Sequence, residues 1–330
     1  MQLQTQTTHT PMIVNVANPI YDSVFKYLME DERIAKTLLS ALLKKEVLKV
    51  AVRPHEYSNT TRDKLSMFRI DFSATVLEAD GSQRIITIEL QKTWLNTETL
   101  RFRQYLSLQY NNKANIRKDS AEGFAYPLVA VYLLGHRVGD INEPVVYVNH
   151  KVYDYDGREV QGGTGNQFVE SLTHNSIIVQ IPLLHGQVNN RLEKVLSVFD
   201  QTRMSADNTQ TLAIDENQYA DDSDMMYLLH RLTAAATSAE IRQDMNVEDE
   251  YYQAIEDRDT ALMLSEEKVK KQEKQINEQT KQLDEQAQQL NEKNAHMSSM
   301  AKALAKNGMS AEAIAAATGI DVDNVKALLG

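Results

Sequence analysis

Apolar residues change their spacing along the chain, and these changes mark out predicted helices and strands. From Ile20 to about Lys45 they recur three or four residues apart, which predicts one helix. Thr97–Asn112 has the same helical spacing. Runs rich in β-branched and aromatic residues predict strands at Val47–Val52, Met67–Leu77, Arg84–Gln91, Tyr126–Leu134, Val145–Val152 and Ile177–Leu184. Helices and strands in this order predict a mixed α/β fold.

The second and third of these strands are predicted to form a hairpin. They are joined by Ala79-Asp80-Gly81, which suits a three-residue loop because its last residue is glycine. This loop would place Asp71 directly opposite Glu89. Residues two apart share a face of a strand, so Gln91 points the same way as Glu89. The other face is lined by Ile86, Ile88 and Leu90.

Two carboxylates and an amide on one patch predict a metal site. Neighbouring carboxylates repel each other unless a cation lies between them. Hard oxygen ligands suit Mg²⁺ or Mn²⁺. The alternative is that Asp71 and Glu89 are ordinary acids on the solvent face of a hairpin, because Asp…Glu-x-Gln also occurs by chance.

These acids belong to a longer order of motifs. Asp22-Ser23-Val24-Phe25-Lys26 lies in the first helix, Asp71 and Glu89-Leu90-Gln91 follow in strands, and Leu100-Arg101-Phe102-Arg103-Gln104-Tyr105-Leu106 opens a further helix. This order resembles the PD-(D/E)xK nuclease superfamily, and within it the branch of recombination-promoting nucleases and transposases. The resemblance extends over residues 18 to 135 and weakly to about 235. It implies a restriction-endonuclease-like core, in which a central mixed sheet is flanked by helices.

The resemblance also implies an activity and roles for particular residues. Asp71 and Glu89, with the Leu90 backbone carbonyl, would hold Mg²⁺ or Mn²⁺, and Asp22 would be a further, helix-borne acid. Gln91 stands where the wider superfamily has lysine, and within this branch glutamine commonly replaces that lysine. The implied function is a Mg²⁺-dependent deoxyribonuclease, an endonuclease linked to recombination or mobile elements.

Binding to DNA requires local positive charge, although the chain carries a net charge of −11. Residues 207 to 259 carry that acidity, whereas residues 83 to 118 carry a net charge of +5. The residues predicted to contact DNA phosphates are Lys26, Arg101, Arg103 and Tyr105. Lys92 is expected to face away from Gln91. A solvated helix face would explain the same basic residues, and packing would explain Tyr105.

Composition limits the location of the protein. The 330 residues include no cysteine, which excludes disulfides and thiolate metal sites. Met1–Gln6 lack the basic and apolar regions of a signal peptide. The longest apolar run, Ala125–Leu134, is too short to cross a bilayer. We therefore expect a cytoplasmic protein without a membrane segment.

The second half of the chain has a different pattern. Apolar residues occur every seventh position at Ile255, Leu262, Val269, Ile276, Leu283, Leu290 and Met297. This spacing predicts one long helix and a weak or conditional homo-oligomer through residues 255–297, because the second core position of each heptad is polar. Residues 299–330 predict a small helical, helix-turn-helix-like unit in which Ser310 and Asp321 cap helices and Thr318-Gly319 forms a turn.

The predicted organisation thus has four parts. They are a disordered lead-in (1–17), a nuclease-like domain (18–235), an acidic linker with a long coiled-coil-like helix (236–298) and the helical tail (299–330). Two rival functions remain open: a catalytically inactive nuclease fold that binds DNA or serves in assembly, and a coiled-coil interaction scaffold.

Overall fold

A computed structural model of the chain describes residues 11–53, 67–93, 99–118, 121–205 and 208–329. The chain forms two compact units, Met1–Tyr252 and Gln253–Gly330. The described strands are β1 (Ile13–Ala17), β2 (Val47–Arg53), β3 (Met67–Leu77), β4 (Gln83–Thr93), β5 (Leu128–Leu134), β6 (Val145–Val148), β7 (His174–Gln180), β8 (Met204–Ser205) and β9 (Asn208–Asp215). The described α-helices are α1 (Asp22–Met29), α2 (Glu32–Leu43), α3 (Thr99–Asn111), α4 (Gln167–Leu172), α5 (Arg191–Leu196), α6 (Ser223–Thr237), α7 (Ala239–Lys306), α8 (Ala311–Thr318) and α9 (Val322–Leu329).

The main sheet has six strands in the order β2-β3-β4-β5-β7-β6. β2, β3 and β4 run antiparallel, β4, β5 and β7 run parallel, and β6 is antiparallel to β7. Parallel strands on both sides explain why β5 is almost entirely apolar. The predicted mixed α/β fold class is confirmed.

The hairpin of β3 and β4 has the predicted geometry. Glu78 N–H donates to the Ser82 carbonyl (2.9 Å), and Gly81 adopts φ +83°, which favours glycine. Asp71 lies opposite Glu89 in the register. Ile86, Ile88 and Leu90 point into the hydrophobic core, as the alternation predicts.

The first predicted helix is in fact two helices, α1 and α2. Asp31 separates them, because its carboxylate accepts two backbone N–H groups in the first turn of α2 and so starts a new helix. α2 ends at Lys44, which adopts a left-handed φ of 52°. The prediction of one continuous helix to about Lys45 is therefore wrong.

Three predicted strands are shorter than the sequence suggested. β5 begins at Leu128, two residues after the predicted start at Tyr126. β6 stops at Val148, and beyond it Tyr153 makes only an isolated bridge with Glu159. β7 ends at Gln180, because the chain then enters a 3₁₀ turn that contains Pro182.

A second, small sheet corrects the prediction of a disordered lead-in for residues 13–17, whereas residues 1–10 of that segment lie outside the described part of the chain. Within residues 1–17, Ile13–Ala17 form β1, which pairs with β9 in the order β1-β9-β8. Val16 and Ala17 are fully buried. α6 packs on β1, so this sheet joins the core of the first unit.

The long helix α7 begins inside the first unit. Met245 is buried in the core, and the Glu248 carboxylate accepts the backbone N–H groups of Asp22 (2.6 Å) and Ser23 (2.9 Å). Asp249 accepts a hydrogen bond from the Tyr21 hydroxyl (2.6 Å). Carboxylates at the first turn of α1 also suit the positive end of its dipole.

In the second unit, α7 continues and is followed by α8 and α9. Ser310 caps α8, and Gly319 ends it with φ 71°, as predicted. A small core is formed by Ala301, Ile314, Ala315 and Val325. No helix in the described part of the chain is both long enough and apolar enough to span a bilayer.

Candidate active site

Asp71, Glu89 and Gln91 come together on one face of the hairpin, as the sequence predicted. Asp71 lies opposite Glu89 in the register, and the Gln91 Nε2 amide donates to Glu89 Oε1 (2.8 Å). The side chains are held by adjacent strands in the middle of the sheet, which fixes their spacing. Leu90 lies between Glu89 and Gln91 in the sequence, and its side chain points to the other face of the sheet, into the hydrophobic core.

This face of the hairpin is buried. Asp71 is 6% exposed, and Glu89 and Gln91 are fully buried. The alternative of ordinary acids on the solvent face of a hairpin is therefore wrong. α3 packs on β4 and covers this patch with Tyr105 and Gln109.

Arg69 places a positive charge between the two carboxylates. Its Nη2 lies 2.9 Å from Asp71 Oδ2, and its Nε lies 2.8 Å from Glu89 Oε1. The guanidinium also stacks over the Tyr105 ring, with Cζ 4.7 Å from the ring centroid. The sequence analysis missed Arg69, although two signals pointed to it. It shares a strand face with Asp71, and it lies opposite Gln91 in the predicted register.

A polar network extends from Asp71 beneath α3. Gln109 Nε2 donates to Asp71 Oδ2 (2.5 Å), and Asn115 Nδ2 donates to Gln109 Oε1 (2.9 Å). Arg53 Nη1 donates to Asn115 Oδ1, so a second guanidinium lies at the end of this network. Hydrogen bonds of this kind fix the orientation of Asp71 and Gln109.

Burial changes the protonation of the carboxylate pair. Loss of solvent, and then the neighbouring Asp71 charge, raise the pKa of Glu89 to about 8, although Arg69 acts in the opposite direction. Burial, with a smaller contribution from Glu89, also raises the pKa of Tyr132 to about 12. Without a further cation, Glu89 therefore holds a proton at neutral pH.

The donor set fits a hard divalent cation. It offers the Asp71 and Glu89 carboxylates and Gln91 Oε1, which is buried without a hydrogen-bond partner. The Leu90 carbonyl lies in a strand that is paired on both sides, and its part in metal binding stays a prediction. An orphaned buried oxygen beside two carboxylates matches the ligand preference of Mg²⁺ or Mn²⁺. Among the described residues, no three His, Cys, Asp or Glu side chains gather as a metal site, so the amide and carbonyl oxygens would have to take part.

Asp22 does not join this cluster. Its Oδ1 pairs with Lys92 Nζ (2.6 Å), and Lys92 extends from the face of β4 opposite Glu89 and Gln91. Lys92 is 1% exposed and also donates to the Ile20 carbonyl. Burial raises the pKa of Asp22 to about 6, while Lys92 opposes the shift. The expected orientation of Lys92 is confirmed, but the structure does not bring the helix-borne acid to the carboxylate pair.

The predicted phosphate-binding residues are also dispersed. Lys26 is exposed on α1, which lies on the Lys92 side of the sheet. Arg103 is exposed on α3. The Tyr105 ring packs against the Arg69 guanidinium, which agrees with the alternative that this residue serves in packing. The side chain of Arg101 lies outside the described part of the structure.

Ion pairs remove part of the predicted basic surface. Within the stretch from 83 to 118, Arg84 pairs with Glu170 and Lys92 pairs with Asp22. The exposed cations among its described side chains are Arg103, Lys113 and Lys118.

Comparison with known proteins adds no identity, since no family model, curated protein or solved structure matches the chain.

Proposed function

We propose that the first unit is a divalent-metal-dependent nuclease that hydrolyses phosphodiester bonds in DNA. The observation that supports this most directly is the buried pair Asp71–Glu89 beside the orphaned oxygen of Gln91. The observed order of α1, β3, β4 and α3 also agrees with a restriction-endonuclease-like core. A link to recombination or mobile elements is inferred from the sequence resemblance alone.

The electrostatics of the pair favour a cation. Two buried carboxylates need compensating positive charge, and Arg69 supplies one unit. A divalent ion held by Asp71, Glu89 and the Leu90 carbonyl would acidify a water molecule and neutralise charge on the phosphate. Because Glu89 holds a proton without the ion, metal binding would release that proton and would weaken at low pH.

Arg69 supplies the cation that Gln91 lacks. The glutamine amide can orient a water molecule by donating and accepting, but it carries no charge. Arg69 lies opposite it in the register, and its guanidinium can turn from the carboxylates toward a phosphate while its stem stays on the same strand. Tyr105 stacks on that guanidinium and positions it.

The decisive experiment is plasmid cleavage by the full chain with Mg²⁺, Mn²⁺, Ca²⁺ or EDTA. Asp71→Asn and Glu89→Gln keep the side-chain shape and are expected to abolish Mg²⁺-dependent cleavage. Asp156→Asn is the matched control, since Asp156 is exposed and pairs only with Arg158 in the described structure. Cleavage by Glu89→Gln with normal metal dependence would reject the proposed site.

One observation favours a second candidate, an inactive nuclease fold that serves in DNA binding or assembly. Arg69 already bridges both carboxylates, so ion pairs hold the cluster together without metal. Direct Mn²⁺ titration separates the two candidates. Binding that is lost in Asp71→Asn supports the nuclease, whereas absence of binding supports the structural network.

A further inference from the structure

The second unit leaves one side of α7 without a core. Apolar side chains at every seventh position form a stripe along this helix, which we call the heptad stripe: Leu262, Val269, Ile276, Leu283, Leu290 and Met297. These side chains are 36 to 65% exposed. Every other side chain described between residues 253 and 297 is exposed as well. Helices in proteins gain most of their stability by packing an apolar face, so the regular apolar stripe of α7 calls for a partner.

We propose that the partner is a second copy of this chain, which pairs with α7 as a parallel, in-register, two-stranded coiled coil. The seven-residue spacing keeps the stripe on one side of a left-handed supercoil. The charge pattern and the polar layers select this partner and this orientation.

The polar residues decide which core position the stripe occupies. If the stripe took position d, position a would contain Glu266 and Glu273, and their carboxylates would face their own copies in the core. With the stripe at position a, position d holds the neutral Ser265, Gln272, Gln279 and Gln286, and its one charged residue within Leu262–Met297 is Lys293, in the last heptad. Buried like charges are costly, so the stripe belongs at position a.

These layers also select the orientation. In a parallel pair, each position packs against its own copy, so apolar layers alternate with glutamine layers. An antiparallel pair would set position a against position d and place every apolar side chain against a polar one. Glutamine both donates and accepts, so Gln272 and Gln279 can each hydrogen bond to their copy at the same height.

The flanking charges agree with a parallel pair of identical chains. Position g of one heptad faces position e of the next heptad in the other helix. Lys268 at position g thereby faces Glu273 of the second copy, and symmetry makes this attractive pair twice. The remaining g–e combinations within the stripe, from Ala261 to Asn294, contain no like-charged pair.

Cysteine cross-linking of the full chain tests orientation and register, because the natural sequence has no cysteine. Gln272→Cys and Gln286→Cys are each expected to form intermolecular disulfides in high yield. Gln288→Cys is the matched control, since position f faces away from the partner, and its yield should be low. An antiparallel pair would cross-link neither of the first two efficiently, and equal yields for all three would show random collision. Either result would overturn the proposal.

Light scattering over a concentration series tests whether the heptad stripe of α7 forms the dimer interface. The full chain should be a dimer, and Ile276→Asp should raise its dissociation constant about 100-fold or more through two lost apolar side chains. Leu264→Asp changes an exposed leucine outside the stripe and should leave the dimer intact. A monomer at high concentration, a trimer or tetramer, or an Ile276→Asp dimer of unchanged affinity would refute the coiled coil.

Discussion

The proton on Glu89 predicts an unusual dependence of stability on pH. The folded chain raises the pKa of this carboxyl from its ordinary 4.5 to about 8. Between these values the folded chain holds a proton that the unfolded chain has lost, so the free energy of unfolding falls as pH rises. At 1.36 kcal/mol per pKa unit, the contribution lost across this window is roughly 4 to 5 kcal/mol.

Glu89→Gln isolates this contribution, because the amide imitates the protonated carboxyl. We expect the wild type and the variant to be about equally stable near pH 4.5. The variant should become the more stable of the two by up to roughly 4 to 5 kcal/mol as pH rises above 8. Urea unfolding followed by tryptophan fluorescence would measure the difference, since the single tryptophan, Trp94, directly follows β4 in the sequence.

The same assay separates the effect of metal. Mg²⁺ should stabilise the wild type increasingly as pH rises, because it replaces the proton, and should leave Glu89→Gln nearly unchanged. A stability difference that is flat between pH 5 and 9, or a wild type that gains on the variant as pH rises without metal, would refute the reasoning about Glu89.

Three further predictions concern neighbouring groups. Gln91→Leu should lose cleavage, since leucine can neither orient a water molecule nor stabilise charge, whereas Gln91→Lys should keep cleavage at saturating Mg²⁺ because it supplies a positive charge. Both variants should bind Mn²⁺ more weakly, since neither side chain offers an oxygen; wild-type behaviour of the leucine variant would make Gln91 structural. Arg103→Ala should lower the slope of log affinity for duplex DNA against log salt by about 0.9, and an unchanged slope would place Arg103 on a solvated face. Lys92→Met should lower the free energy of unfolding by about 3 to 5 kcal/mol because it leaves Asp22 buried without its partner. It should leave Mn²⁺ affinity unchanged, and a large loss of affinity would mean that Asp22 serves the metal site after all.

The part of the site that sequence could predict is local in origin. A single loop with Gly81 sets the register of β3 and β4, and the period of two then places Asp71, Glu89 and Gln91 together. Arg69 lies on the same face by the same rule. The candidate cations named from the sequence lie instead on helices or directly after Gln91, at Lys26, Arg101, Arg103 and Lys92.

Long-range packing explains what the sequence could not show. The strand β1 has only five residues, and its partner β9 is about 200 positions away, so no local pattern reveals the pairing. Asp22 was expected beside the carboxylate pair, but α1 docks on the opposite face of the sheet, where Lys92 neutralises it. The chain breaks between α1 and α2 because Asp31 caps the second helix, although the apolar spacing continues through the break and predicts a single helix.

The pairing of β1 with β9 has a consequence for synthesis of the chain. Residues 13 to 17 leave the ribosome well before their partners, residues 211 to 215, and Glu248, which caps α1, lies still farther along the chain. At 5 to 20 residues per second, the first strand waits roughly 10 to 40 seconds for its partner. The hairpin of β3 and β4 can form well before that. During this interval the nascent chain exposes an unpaired apolar edge at Ile13–Ala17, a segment that chaperones and neighbouring nascent chains could bind.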